Sequence, residues 1–207
     1  MSRSYKRITY TDSVKAAQSG GRAGTRDIAQ RMLLADSGED RLSEREIDFI
    51  AKRDGFYIGT VSEDGWPYVQ YRGGPTGFLK VIDDATLAYA DFRGNMQLLS
   101  AGNIGHDDRV SLFFMDYARR RRLKILARAE IIDGRDDPAL LKRLSDPNYA
   151  AKPERAFVLH VEAFDWNCPQ HITPRFTEAE IATRERALRD RIAALESQLN
   201  QLASSAG

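Results

Sequence analysis

The sequence predicts a mainly β chain with helices, an α+β protein built on a small antiparallel barrel. Three observations carry this. Short apolar runs with strand character follow one another from Phe56 to Glu162, separated by tight turns. Helical patterns are few and lie at the two ends and at one crossover, which excludes a βαβ repeat. The chain of 207 residues is 42% hydrophobic, enough to bury one sizeable core. Many short antiparallel strands must hide their edges, and closure into a barrel does so best.

In order, residues 1–42 read as a polar arm with a Gly-rich break at Ser19 to Gly24 and two weakly helical pieces, near 11–18 and 25–35. A third helix follows, with Ser43 and Glu46 as a capping box and Ile47, Phe49 and Ile50 as its apolar stripe. Phe56–Val61 is a strand, Glu63-Asp64-Gly65 a hairpin turn, and Trp66–Tyr71 the return strand, broken at Gly73-Gly74-Pro75. Phe78–Ile82 and Thr86–Ala90 are the next two strands, turning at Asp83-Asp84. A loop over 91–95 opens a short helix holding Met96, Leu98 and Leu99. Arg109–Met115 and the alternating Leu123, Ile125, Ala127, Ala129 and Ile131 make two more strands, with Arg119 to Arg122 at their turn. A helix over 138–144 leads to the last strand, Ala156–Glu162. From residue 177 the pattern changes. Thr177 and Glu180 form a second capping box, and Ile181, Leu188, Leu195 and Leu202 recur every seven residues, joined by Ile192 and Leu199. Glu185 interrupts that seam, and the helix packs either on its own domain or on a partner. The expected domains are 1–42, 43–176 and 177–207.

Charge narrows the function. With 31 Lys+Arg against 30 Asp+Glu, the net charge is +1, which argues against a nucleic-acid partner. No run is long and apolar enough for a transmembrane helix, and the start lacks an apolar secretory core, so a membrane partner is not expected. The lone Cys168 makes a disulfide framework impossible, and a reducing cytoplasm is the simplest location. No phosphate-binding glycine loop, nucleophile elbow or dinucleotide fingerprint is present.

Three segments carry candidate chemistry. Arg93-Gly94-Asn95 after a strand suits an anion, through guanidinium and helix N–H groups, or is an ordinary turn with an Asn cap. Arg72, inside an apolar strand, needs either a protein carboxylate or an anionic ligand. The run Phe164-Asp-Trp-Asn-Cys-Pro-Gln-His-Ile172, placed just after the last strand, offers a stacking face at Trp166, amides at Asn167 and Gln170, and His171, or is a structural turn with a buried Trp. Cys168 and His171 have no second pair to complete a metal site.

Phe56-Tyr-Ile-Gly-Thr-Val-Ser-Glu-Asp-Gly-Trp-Pro-Tyr68, the Arg72 strand, Tyr89-Ala-Asp-Phe, the Arg93-Gly-Asn95 loop and Arg122 to Glu130, in this order, resemble the pyridoxamine 5'-phosphate oxidase-like flavoproteins. The ending Phe164 to Pro174 is similar to that of one bacterial subgroup, and the likeness spans about 43–176. It implies a six-stranded split barrel, a homodimer, and FMN in clefts at the subunit interface. Val69, Gln70, Tyr71 and Arg72 would run along the flavin ring. Asp91, Arg93, Gly94, Asn95, Met96 and Gln97 would cradle its phosphate, and Trp166, Asn167, Gln170 and His171 would come from the partner. The implied activity is oxidoreduction of a small molecule, with no catalytic residue named. A flavin- or haem-binding sensor without turnover is the alternative. The chain departs from the true oxidases where their Arg-x-His-like motif is replaced by Asn-Cys-Pro-Gln-His, so their substrate half is not implied.

Overall fold

A computed structural model describes residues 3–19, 40–167 and 169–205. Two compact units emerge: Met1–Asp116 with Arg121–Pro169, and Tyr117–Arg120 with Gln170–Gly207. The first holds helices α1 (Arg3–Thr9), α2 (Asp12–Ser19), α3 (Glu44–Ala51), α4 (Leu99–His106) and α5 (Pro138–Leu144). Its strands are β1 (Gly55–Val61), β2 (Pro67–Gly73), β3 (Lys80–Val81), β4 (Thr86–Phe92), β5 (Arg109–Asp116), β6 (Arg121–Asp133) and β7 (Pro153–Asn167). The second unit is dominated by α6 (Glu178–Ser205). The expected helix near 25–35 lies outside the described residues.

The strands form one antiparallel sheet in the order β2-β1-β5-β6-β7-β4-β3, seven strands rather than the six the resemblance implied. The sheet curls. Phe56 on β1 meets Tyr89 on β4 with ring centroids 5.5 Å apart, although three strands separate them in the order. Both rings share a core with Phe78, Phe114 and Phe157, all within a few per cent of full burial. The curl brings the end of β2 towards β4, yet no ladder joins β2 to β3, so the barrel stays split there.

Local sequence explains this shape. In the run Leu87-Ala-Tyr-Ala90 the large side chains face the barrel core. The alanines face the other side, where Ala88, Ala90 and Ala156 meet Leu144 of α5. Small residues there let the helix lie close, and Asp137 caps it by accepting from the Leu140 N–H at 2.8 Å. At the β1–β2 turn Gly65 takes φ +84°, a conformation that costs glycine little. Gly65 N–H donates to the Ser62 carbonyl at 2.8 Å.

Several elements differ from expectation. β4 runs on through Asp91 and Phe92, because Asp91 pairs with Arg155 in the ladder to β7. α4 starts only at Leu99, since Met96 and Leu98 adopt φ of 61° and 54°. β3 is two residues long, and Phe78 and Leu79 serve as core plugs before it. β7 continues to Asn167, so the expected loop at 164–167 is strand, paired with β6 as far as Arg122. Helix α1 has no apolar periodicity; Tyr5 nevertheless buries, with the Lys124 ammonium 4.7 Å over its ring.

Candidate functional site

The open seam of the barrel holds a polar cleft. β2 contributes Tyr68, Gln70 and Arg72, and strand alternation sends these three to one face. β4 and the following loop add Asp91, Gly94, Asn95, Met96 and Gln97; α4 adds Leu99, Ser100 and Ala101; β7 adds Arg155. The cleft is open and encloses only about 60 Å³ of its own, below the range of complete small-molecule sites.

Its floor is a buried ion cluster. Arg72 Nη1 donates to Asp91 Oδ1 at 2.7 Å, and Arg155 reaches Asp91 Oδ2 through Nη2 at 3.0 Å and Nε at 3.1 Å. The sequence left open whether Arg72 meets a carboxylate or a ligand; Asp91 is the carboxylate. Arg155 Nη2 also lies 3.9 Å from Glu154, so the two guanidinium groups share Asp91 closely and a second carboxylate at longer range. Arg72 also keeps a buried donor, Nε, with no acceptor. The nearby Tyr89 hydroxyl feels Arg72, yet neither atom makes a well-formed hydrogen bond. Burial pushes the Tyr89 phenol far above its ordinary value, so it stays neutral.

The rim is a strained loop. Two non-glycine residues, Met96 and Leu98, sit in the left-handed region within three positions. Leu98 is the N-cap of α4, and its apolar side chain provides no cap for the first N–H groups of the helix. Asn95 does not cap the helix: its Oδ1 accepts from Gln97 N–H at 3.2 Å. Ser100 Oγ donates to Gln70 Oε1 at 2.8 Å, and Asn103 Nδ2 to Thr60 Oγ1 at 2.9 Å, which ties α4 to the β1–β2 hairpin.

Of the residues singled out from sequence, Gln70, Arg72, Asp91, Gly94, Asn95, Met96 and Gln97 line the cleft together. Val69 and Tyr71 lie on the opposite face of β2, 64% and 56% exposed. Arg93 is not among the lining residues; its Nε pairs with Glu154 at 3.3 Å. Trp166 packs edge-on against Phe49 at 4.7 Å, with Arg45 and Arg121 4.4 and 4.6 Å from its ring. Its indole N–H donates to Glu46. Gln170 and His171 are exposed in the second unit, and His171 takes φ 61°. The sequence reading missed Arg155, Tyr68 and Ser100. An Arg beside a strand is unremarkable until the β4–β7 register sets Arg155 against Asp91. No group of three His, Cys, Asp or Glu among the described residues could hold a metal ion. No described helix is long and apolar enough to cross a membrane.

Residues 42–166 match the family described as pyridoxamine 5'-phosphate oxidase. None of the curated protein sequences matches. Among solved structures, HupZ of Group A Streptococcus superposes with a TM-score of 0.51 at 18% identity, over 65% of this chain and 99% of that one. At that identity the likeness is one of fold. A candidate pyridoxamine 5'-phosphate oxidase of Lactobacillus delbrueckii matches with 25% identity and a TM-score of 0.48, over 61% of this chain and 94% of that one. An FMN-binding protein of Syntrophomonas wolfei matches with 14% identity and a TM-score of 0.44, over 75% and 97%.

Proposed function

Because the chain belongs to the pyridoxamine 5'-phosphate oxidase family, we propose that it is a cytoplasmic, homodimeric FMN-binding oxidoreductase acting on a small molecule. The observation that carries this reading is the cleft floor: two arginines, Arg72 and Arg155, held on one aspartate and lining the same cleft. A phosphate dianion fits such a floor, because charge-assisted bonds to guanidinium are strong and directional. The uncapped start of α4 adds N–H groups on the same cleft.

In this reading Arg72 and Arg155 bind the phosphate, and Asp91 holds both guanidinium planes in place. Asn95 and Gln97 supply amides at the rim, Gly94 lets the backbone come near, and Arg93 sits just outside, paired with Glu154. The β2 segment Val69 to Arg72 runs along the flavin ring, Gln70 and Arg72 with their side chains, Gln70 fixed by Ser100, and Val69 and Tyr71 with their backbone. We assign Gln170 and His171, both exposed, to the wall that a partner protomer adds. Trp166 serves indirectly, by anchoring α3 to β7, and Asn167 closes the same strand. Bound in the cleft, FMN would supply transfer of a hydride or electrons between an organic donor and an acceptor. The protein's own part is to bind, orient and leave one ring face open.

The homodimer reading rests on the outer face of the β1–β2 hairpin. Tyr57, Val61, Trp66, Val69 and Tyr71 are each more than a third exposed there, and Tyr57 and Tyr71 stack edge-on at 5.4 Å.

The test is a visible spectrum of the purified protein, with identification of what heat denaturation releases. A flavin spectrum and released FMN are expected, with bleaching by a reduced nicotinamide and recovery in air. R72Q should weaken FMN retention by about tenfold or more. A colourless protein that takes up no added FMN, or a haem spectrum, would overturn the assignment.

A further inference from the structure

Helix α6 is a 28-residue helix, about 42 Å long, in which every described side chain after Glu180 is exposed. Leu188, Ile192, Leu195 and Leu199 are 64%, 55%, 41% and 65% exposed and lie on one stripe. An isolated helix is marginal in water, and its exposed apolar stripe gains stability when a partner covers it. The charges flanking the stripe say which partner. We propose that α6 pairs with α6 of a second copy of this chain as an antiparallel coiled coil.

With Leu188 and Leu195 at d and Ile192 and Leu199 at a, an antiparallel pair has one register that aligns these four layers. Leu188 faces the partner's Leu199 and Ile192 faces the partner's Leu195, each twice about the two-fold axis. In that register Arg189 lies beside the partner's Glu196, again twice, and no like charges meet at the flanks. Sliding by one heptad sets Arg189 against the partner's Arg189, or Glu196 against the partner's Glu196. A parallel pair is worse: Glu185 faces the partner's Glu185 in the seam, and Arg184 lies beside the partner's Arg189. In the antiparallel register Glu185 meets the partner's Leu202 in the outermost layer instead of a second Glu185, and Arg189 on its own helix pairs with it at 3.1 Å. This pairing does not depend on the flavin site or on the hairpin face.

The experiment uses full-length protein with Cys168 replaced by Ser. Chains carrying Leu188→Cys are mixed with chains carrying Leu199→Cys and oxidised, and the disulfides are mapped by mass spectrometry. The expected product is the mixed 188–199 disulfide. Adding R189E to both chains should cut its yield by about tenfold, because two attractions become repulsions, and E196R on top should restore it. A parallel pair reverses the sign, since R189E would relieve the Arg184 repulsion. Dominant 188–188 and 199–199 products, a gain with R189E, or no cross-link at high protein concentration would each overturn the proposal.

Discussion

At the scale of single residues, Asp91 is the hinge of the cleft. It is 5% exposed and holds Arg72 and Arg155 together. D91N keeps the shape and removes the charge, so two largely buried guanidinium groups lose their counter-ion. Loss of one partner from a buried cluster typically costs about 3 kcal/mol or more. D91N should therefore lower the denaturation midpoint clearly, and excess inorganic phosphate should restore part of the loss by supplying the missing negative charge. A stability equal to wild type, without phosphate, would show that the cluster is not under electrostatic tension. Arg72 was legible as an anomaly in the sequence, since a charge inside a strand demands a partner. Arg155 was not, because its partner is 64 residues away and reached only through strand pairing.

At the scale of elements, α3 shows how one carboxylate can cap its own helix and join it to a distant strand. Burial pushes the Glu46 carboxyl up, but bonds from the Ser43 hydroxyl, the Trp166 indole and the Ser43 N–H outweigh it and hold it below its ordinary value. The sign follows. A carboxyl with a lower pKa folded than unfolded stabilises the protein above its unfolded value near 4.5 and loses that contribution as pH falls through the folded value. Urea midpoints from pH 6 down to pH 3 should fall for wild type. E46Q should start lower and fall less steeply over that window; an unchanged slope would discount Glu46. The capping box itself was legible from Ser43 and Glu46 alone, because capping is local chemistry. Its third partner, Trp166, was expected near the ring of a cofactor. β7 runs five residues past the expected Glu162 and packs Trp166 against α3 of its own chain.

At the scale of the whole molecule, the described residues expose an apolar hairpin face around Val69 and Tyr71 and the stripe of α6. V69E places charge at the centre of the first. In the R189E background, which loosens the second, V69E should move the sedimenting mass towards that of one chain, 23.3 kDa. A mass unchanged across a concentration series would remove the hairpin face as an interface. If both surfaces are used, R189E alone should change the association strength and leave flavin content unaltered.

What the sequence determined by itself was whatever depends on neighbours along the chain. Strand alternation, the Gly65 turn, both capping boxes, the 138–144 helix and the heptad stripe of α6 all rest on spacings of two to seven residues. Family membership was legible from motif order. What only the tertiary structure decided was whatever depends on residues far apart. The curl that brings Phe56 to Tyr89, the split between β2 and β3, and the meeting of Arg72, Asp91 and Arg155 all follow from register across the sheet. A strand pattern shows which face a side chain takes, but not which strand lies opposite. The polar groups of the cleft therefore become a site only once the barrel has curved.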